Sequence, residues 1–203
     1  MKGKNILITC LVVIIAALVS FFLDTSISQA FESIRSYFLT NLFMGITFVS
    51  SGVIILFVLT SLFLWKENKR KWILPLWVTL ALSAIISFLL KIIVQRPRPY
   101  QLGVVSTLLE EASHSIWNFS FPSFQAMLAF CAIPILSKEF PKLKHIWVVF
   151  AVLIAVSRVY LGVHFMSDIL VGGLIGYLIG VFIIKSEDKT NFWGKLYKKI
   201  FRR

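Results

Sequence analysis

Arg158, His164 and Asp168 stand at the end of an apolar run, residues 146–156, that otherwise reads as membrane-spanning. Ionisable groups are costly there unless they face a polar cavity, so the default reading is a site within or at the edge of a bilayer. His164 and Asp168 are four apart. On a helical turn they share a face, and the carboxylate can hold one imidazole nitrogen. The other nitrogen is then unprotonated and aimed, as a nucleophile or base requires. Arg158 supplies a planar, permanently charged fork that suits phosphate oxygens. The competing reading is a buried ion pair beside one satisfied histidine. A lone histidine would favour that reading; Arg, His and Asp in this order at one membrane face favour chemistry.

The elements that must position these residues are apolar helices. The chain has 203 residues, 58% of them hydrophobic and 15% charged, with mean hydropathy +0.86. That composition predicts an all-α integral membrane bundle, read as one domain over residues 1–203. Six apolar runs approach the length of a span: residues 6–23, 39–65, 72–94, 121–136, 146–163 and 169–184. The first reads as a retained anchor, because its apolar core is too long for a cleaved leader and no small-residue cleavage site follows closely. Cys10 and Cys131 lie inside apolar runs and read as free thiols.

The net charge of +12 could suggest nucleic acid, but its distribution argues otherwise. With both termini and residues 66–71 and 138–145 placed inside, those segments hold sixteen of the 21 basic residues and four of the nine acids. The remaining five of each sign cancel, so the whole excess is cytoplasmic and reads as a topology signal. Nucleic-acid binding is not needed to explain it. Ile27, Phe31, Ile34 and Phe38 recur at helical spacing and predict an amphipathic stretch on the outer surface. In the basic tail, residues 185–203, Phe192, Leu196 and Ile200 alternate with lysines, which predicts either a helix on the anionic inner leaflet or a frayed end. Gly172, Gly176 and Gly180 make a small-residue face for close helix packing.

Alternating the spans brings the polar residues together. The third run travels outward and ends near Lys91, where Pro97 and Pro99 stop it. The fourth begins near Ser123, at an expected N-cap, and the fifth ends at Arg158 and His164. Lys91, Arg98, Ser123, Arg158, His164 and Asp168 are thus expected at one outer face. Three cations, a helix N-terminus and a carboxylate-held imidazole form an anion site with a nucleophile, which points to phosphoryl transfer from a lipid phosphate. The loop at residues 100–120, with Glu110, Glu111, His114 and Trp117, is expected to cap the site.

Lys91-x6-Arg98-Pro99 and Ser157-Arg158-x5-His164-x3-Asp168 resemble the first and third signature motifs of the type 2 phosphatidic acid phosphatase (lipid phosphate phosphatase) superfamily. The likeness covers residues 91–168 and the spans that carry them. It implies that Lys91, Arg98 and Arg158 hold the phosphate and that Ser123 bonds one of its oxygens. It implies that His164 attacks phosphorus to give a phosphohistidine, and that Asp168 orients His164. It implies neither metal nor cofactor. The second motif departs: where the family has Pro-Ser-Gly-His, this chain has Pro122-Ser123-Phe124-Gln125. The family's histidine there protonates the departing alkoxide, and Gln125 cannot transfer a proton near neutral pH.

The implied function is a membrane lipid phosphatase acting on phosphatidate, phosphatidylglycerophosphate or undecaprenyl diphosphate. A diphosphate suits it best, because phosphate leaves more readily than an alkoxide. The alternative is a catalytically impaired relative that binds a lipid phosphate. A transporter would need a second half or an inverted repeat, and the sequence has neither. No residue pattern specifies an oligomeric state.

Overall fold

The computed structural model describes residues 3–108 and 118–201. Glu110, Glu111, His114 and Trp117 lie outside the described residues. Those that are described form an all-helical bundle. Its elements are α1 (Gly3–Ser33), α2 (Tyr37–Val49), α3 (Gly52–Trp65), a 3₁₀ segment (Glu67–Trp72) and α4 (Ile73–Val94). They are followed by α5 (Phe124–Cys131), α6 (Ile133–Glu139), α7 (Lys144–Tyr160), α8 (Met166–Thr190) and α9 (Phe192–Phe201).

Three helical segments are long and apolar enough to cross a membrane: Ile6–Ser33, Glu67–Val94 and Met166–Thr190. A fourth joins α2 and α3, which meet at a 64° bend. The apolar run at residues 39–65 is therefore broken, not straight. Ser50 and Ser51 explain the break: the Ser50 hydroxyl donates to the Thr47 carbonyl, and Ser51 Oγ accepts the Ile54 N–H at 3.4 Å as an N-cap. The run at residues 121–136 is likewise split. It becomes α5 and α6, of 8 and 7 residues, with Pro134 in the first turn of α6. Proline has no N–H to continue the ladder across that point. Helix α7, with 17 residues, falls just below a full span.

Residues 27–33 also differ from the surface-lying stretch expected of them. They continue α1, and Ile27 and Phe31 pack against the core, while Ile34 and Phe38 are exposed. The cause is a stripe on α1 at three- and four-residue spacing, Ala17, Ser20, Asp24 and Ser28, all buried. Helix α1 makes more of its contacts with α8 than with any other element. Water does not drive helices together inside a bilayer, so such polar pairing and close approach must do so.

The glycine face on α8 has that function. A Cβ at Gly176 would lie 2.3 Å from the Met127 carbonyl oxygen, and one at Gly180 2.3 Å from that of Cys131. One at Gly172 would lie 2.7 Å from the Ser123 carbonyl oxygen. The backbone of α5 thus rests directly on the backbone of α8. On the other side, Ile55, Leu59 and Phe63 of α3 pack with Leu76 and Leu80 of α4 and with Leu136 and Ile154. At the far end of α8 the tail does form a helix, α9. The Glu187 carboxylate accepts the N–H groups of Trp193 and Gly194 at its start.

Candidate active site

Helix α4 ends at Gln95, whose left-handed backbone (φ 50°) turns the chain back on itself. The reversal sends Arg96 toward α1 and α8, and Arg98 into the bundle. Across the bundle, α7 ends at Tyr160, and a turn through Gly162 (φ +79°) leads to His164 and α8. Only glycine fits at 162: a Cβ there would meet the Ser106 carbonyl oxygen at 2.6 Å. The Arg158 carbonyl accepts the N–H groups of Val163 (3.1 Å) and His164 (3.2 Å), which fixes the turn.

These elements enclose a cavity of about 660 Å³ lined by Lys91, Arg98, Gln125, Arg158 and His164, with Phe88 and Phe124 among its apolar walls. Five of the residues singled out in the sequence therefore meet in one space. Arg98, Arg158 and His164 are 8%, 4% and 3% exposed. Lys91 donates to the Phe119 carbonyl, and Arg158 Nη1 reaches Thr47 Oγ1 at 3.5 Å. Ser123 lies behind the cavity wall at the N-cap of α5, and its N–H donates to the Asp168 carbonyl at 3.1 Å. Its hydroxyl is buried and makes no capping bond, contrary to the role its position suggests.

His164 and Asp168 are neighbours, but not on one helical turn. His164 sits in the turn before α8, while Asp168 is in the first turn of that helix. Asp168 Oδ2 accepts the Phe165 N–H at 2.8 Å and lies 3.7 Å from His164 Nδ1. That separation is longer than a hydrogen bond; orienting bonds in unliganded sites commonly tighten only with substrate. Burial, and then the charges of Arg98, Lys91 and Arg158, hold the imidazole pKa well below its ordinary range, while the Ser120 backbone opposes them. Burial and the surrounding cations thus favour the neutral ring, the form that a nucleophile requires.

Two site residues escape a reading of the sequence. Arg96 Nη1 donates to Asp168 Oδ1 and to Ser167 Oγ, both at 2.7 Å. Its Nη2 donates to Asp24 Oδ2 at 2.7 Å, and its guanidinium lies over the Phe165 ring at 4.2 Å. Asp24, on α1, also accepts the Ser167 N–H at 3.0 Å and the Ser167 hydroxyl. Arg96 is one of two arginines flanking Pro97 and carries no mark of its own. Asp24 did leave a faint signal: Ser20, Asp24 and Ser28 recur every fourth residue, at the end of an apolar run.

A helical membrane bundle with three cations around a histidine backed by a carboxylate defines the class. The chain belongs to the PAP2 superfamily, whose model matches residues 72–192. It is 33% identical to phosphatidylglycerophosphatase B of Bacillus subtilis (strain 168), over 82% of this chain and 83% of that protein. It is 27% identical to undecaprenyl-diphosphatase BcrC of the same organism, over 76% and 79%. Its fold is similar to the crystal structure of a transmembrane PAP2-type phosphatidylglycerolphosphate phosphatase from Bacillus subtilis, with TM-score 0.72 and 27% identity over 93% of this chain and 97% of that one. The chain is accordingly a membrane protein of a lipid phosphatase family.

Proposed function

We propose that the protein hydrolyses a lipid phosphate, with an isoprenoid diphosphate of the undecaprenyl type as the favoured substrate. The observation that carries this is the convergence of Lys91, Arg98 and Arg158 on His164 in one pocket. In this reading the three cations bind the terminal phosphoryl group and neutralise its developing charge. His164 attacks phosphorus through its unprotonated ring nitrogen, and Asp168 orients the ring. The phosphoanhydride bond between the terminal phosphorus and the bridging oxygen breaks, and the lipid monophosphate departs with that oxygen. Water then hydrolyses the phosphohistidine, releasing inorganic phosphate and restoring the imidazole.

An adjoining apolar surface supports a lipid substrate. A second apolar cavity of about 380 Å³, lined by Leu56, Trp77, Leu80 and Leu128, shares Ala84 and Phe124 with the first. Together they give a charged head group an adjoining bed for its chain. Gln125 occupies the position of the family's proton donor, which favours a leaving group that departs without one. The same substitution supports a second reading, an impaired relative that binds lipid phosphate without turnover. The reading extends to one domain crossing the membrane six times, with both termini cytoplasmic and the site at the outer face.

Phosphate release from phosphatidate, phosphatidylglycerophosphate and undecaprenyl diphosphate, measured side by side on purified protein, tests it. Release is expected to be fastest from the diphosphate, absent in His164→Ala and sharply reduced in Asp168→Asn. Full release by His164→Ala would overturn the assignment, and tight lipid binding without release would favour the second reading.

A further inference from the structure

One guanidinium, that of Arg96, is shared between two buried carboxylates. Asp24 and Asp168 are 3% and 0% exposed, come from α1 and α8, and each lies 2.7 Å from a different nitrogen of the same fork. The sharing has a geometric result. Arg96 engages only Oδ1 of Asp168, because its second nitrogen is turned to Asp24. Oδ2 remains free of the guanidinium and faces His164 Nδ1. It also has an electrostatic result. One positive charge against two negative ones leaves a net negative charge in the cluster, so Asp168 is not fully neutralised on the side of His164.

We propose that Asp24 is a positioning residue of the active site: by holding half of the Arg96 fork, it keeps the second oxygen of Asp168 aimed at His164. Asp24 and Arg96 line no part of the cavity and touch no substrate; they act through Asp168. Without the Asp24 charge, Arg96 closes on Asp168 as a bidentate pair, the geometry that guanidinium and carboxylate prefer. Oδ2, which already accepts the Phe165 N–H, then takes its second bond from the guanidinium, and His164 loses the acceptor that fixes its tautomer. The anion-binding cations are untouched by that change. The inference rests on His164 being the nucleophile only for its effect on rate, not for its effect on the ring.

Asp24→Asn is the test, because the amide keeps an oxygen for the Ser167 N–H while removing the charge and the second acceptor that hold Arg96. Turnover should fall about tenfold or more, by analogy with the 10–100-fold cost of removing the group that orients a metal-bound histidine. The inhibition constant of inorganic phosphate should stay within about twofold, since Lys91, Arg98 and Arg158 remain. In protein labelled with ¹⁵N-histidine, the His164 ring signals, assigned by their loss in His164→Ala, should move from one tautomer to a mixture. Arg96→Lys, which keeps the charge but cannot bridge two carboxylates, should do the same. An unchanged His164 tautomer in both variants, or turnover within about twofold of wild type, overturns the proposal. So does a loss of phosphate affinity in step with turnover, which would mark a merely structural role. If the wild type releases no phosphate from any lipid, the proposed function fails, and the tautomer measurement still decides this inference.

Discussion

Arg98 donates through Nη1 to the carbonyl of Val163 at 3.0 Å, one residue before His164. A cation proposed to bind phosphate thus also holds the backbone beside the proposed nucleophile. Its own N–H is tied to Gln101 Oε1 at 2.8 Å, so the arginine is fixed from both ends.

Arg98→Lys keeps the charge and loses the fork. Hydrogen bonds to charged groups contribute roughly 1.5–3 kcal/mol each, and about 1.4 kcal/mol corresponds to a factor of ten. Turnover should fall and KM should rise, each about tenfold or more. Steady-state kinetics on a soluble short-chain diphosphate would check this. A change confined to KM would mean that the bond to Val163 does not position His164.

Gln125 should make the rate sensitive to the leaving group. Monoesters with alkoxide leaving groups should react much more slowly than diphosphates or activated aryl phosphates. Phe124→Gly combined with Gln125→His should raise monoester hydrolysis far more than diphosphate hydrolysis, by up to the roughly 10²–10⁴-fold that general acid catalysis supplies. Equal gains on both substrates would rule out the leaving-group explanation.

The depressed pKa of His164 has a stability consequence with a definite sign. In the unfolded chain the imidazole takes up a proton near its ordinary value of about 6.5, while the folded, buried ring does not. Unfolding is therefore favoured as pH falls below that value, by up to about 1.4 kcal/mol per unit, until the folded pKa is reached. Thermal unfolding in detergent between pH 7 and 5 should show the wild type losing more stability than His164→Ala. Parallel curves would show that His164 titrates alike in both states.

Gly176→Ala should destabilise the fold by roughly 1–3 kcal/mol, the usual cost of overpacking, because its new methyl group meets the Met127 backbone. Gly45→Ala is the control, since a Cβ there has nothing within 4 Å. Melting temperatures of the two variants would separate clearly; equal values would mean that α5 shifts off α8 without loss.

The proposed orientation can be read by labelling. In a background lacking Cys10 and Cys131, Leu102→Cys should react with an impermeant thiol reagent in intact cells, and Asn68→Cys only after permeabilisation. The reverse pattern would invert the orientation.

Much of the helical layout is legible in the sequence because apolar runs and the four-residue glycine spacing are local patterns. The glycine face at Gly172, Gly176 and Gly180 meets the backbone of α5, as such spacing predicts. The breaks within the runs are less legible. Ser50 and Ser51 are common inside membrane helices, and only their hydrogen bonds to neighbouring backbone show that they end one helix and start the next. Least legible are Asp24 and Arg96. Asp24 lies 143 residues from Ser167, with which it bonds. No local pattern marks a pairing at that distance, and a charge directly after an apolar run reads first as the edge of a span.

The contact of Ser123 with Asp168 has a mechanical consequence. Its N–H is bonded to the Asp168 carbonyl, and Gly172, Gly176 and Gly180 bring the α5 backbone directly against α8. The two helices form the stiff wall of the site. The facing wall is compliant: α3 and α4 meet it through the side chains of Phe124 and Leu128, and a bend interrupts the α2–α3 pair at Ser50–Gly52. The proposed lipid would therefore find its yielding side at α3 and α4, where Lys91 sits, and its fixed side at Asp168 on α8.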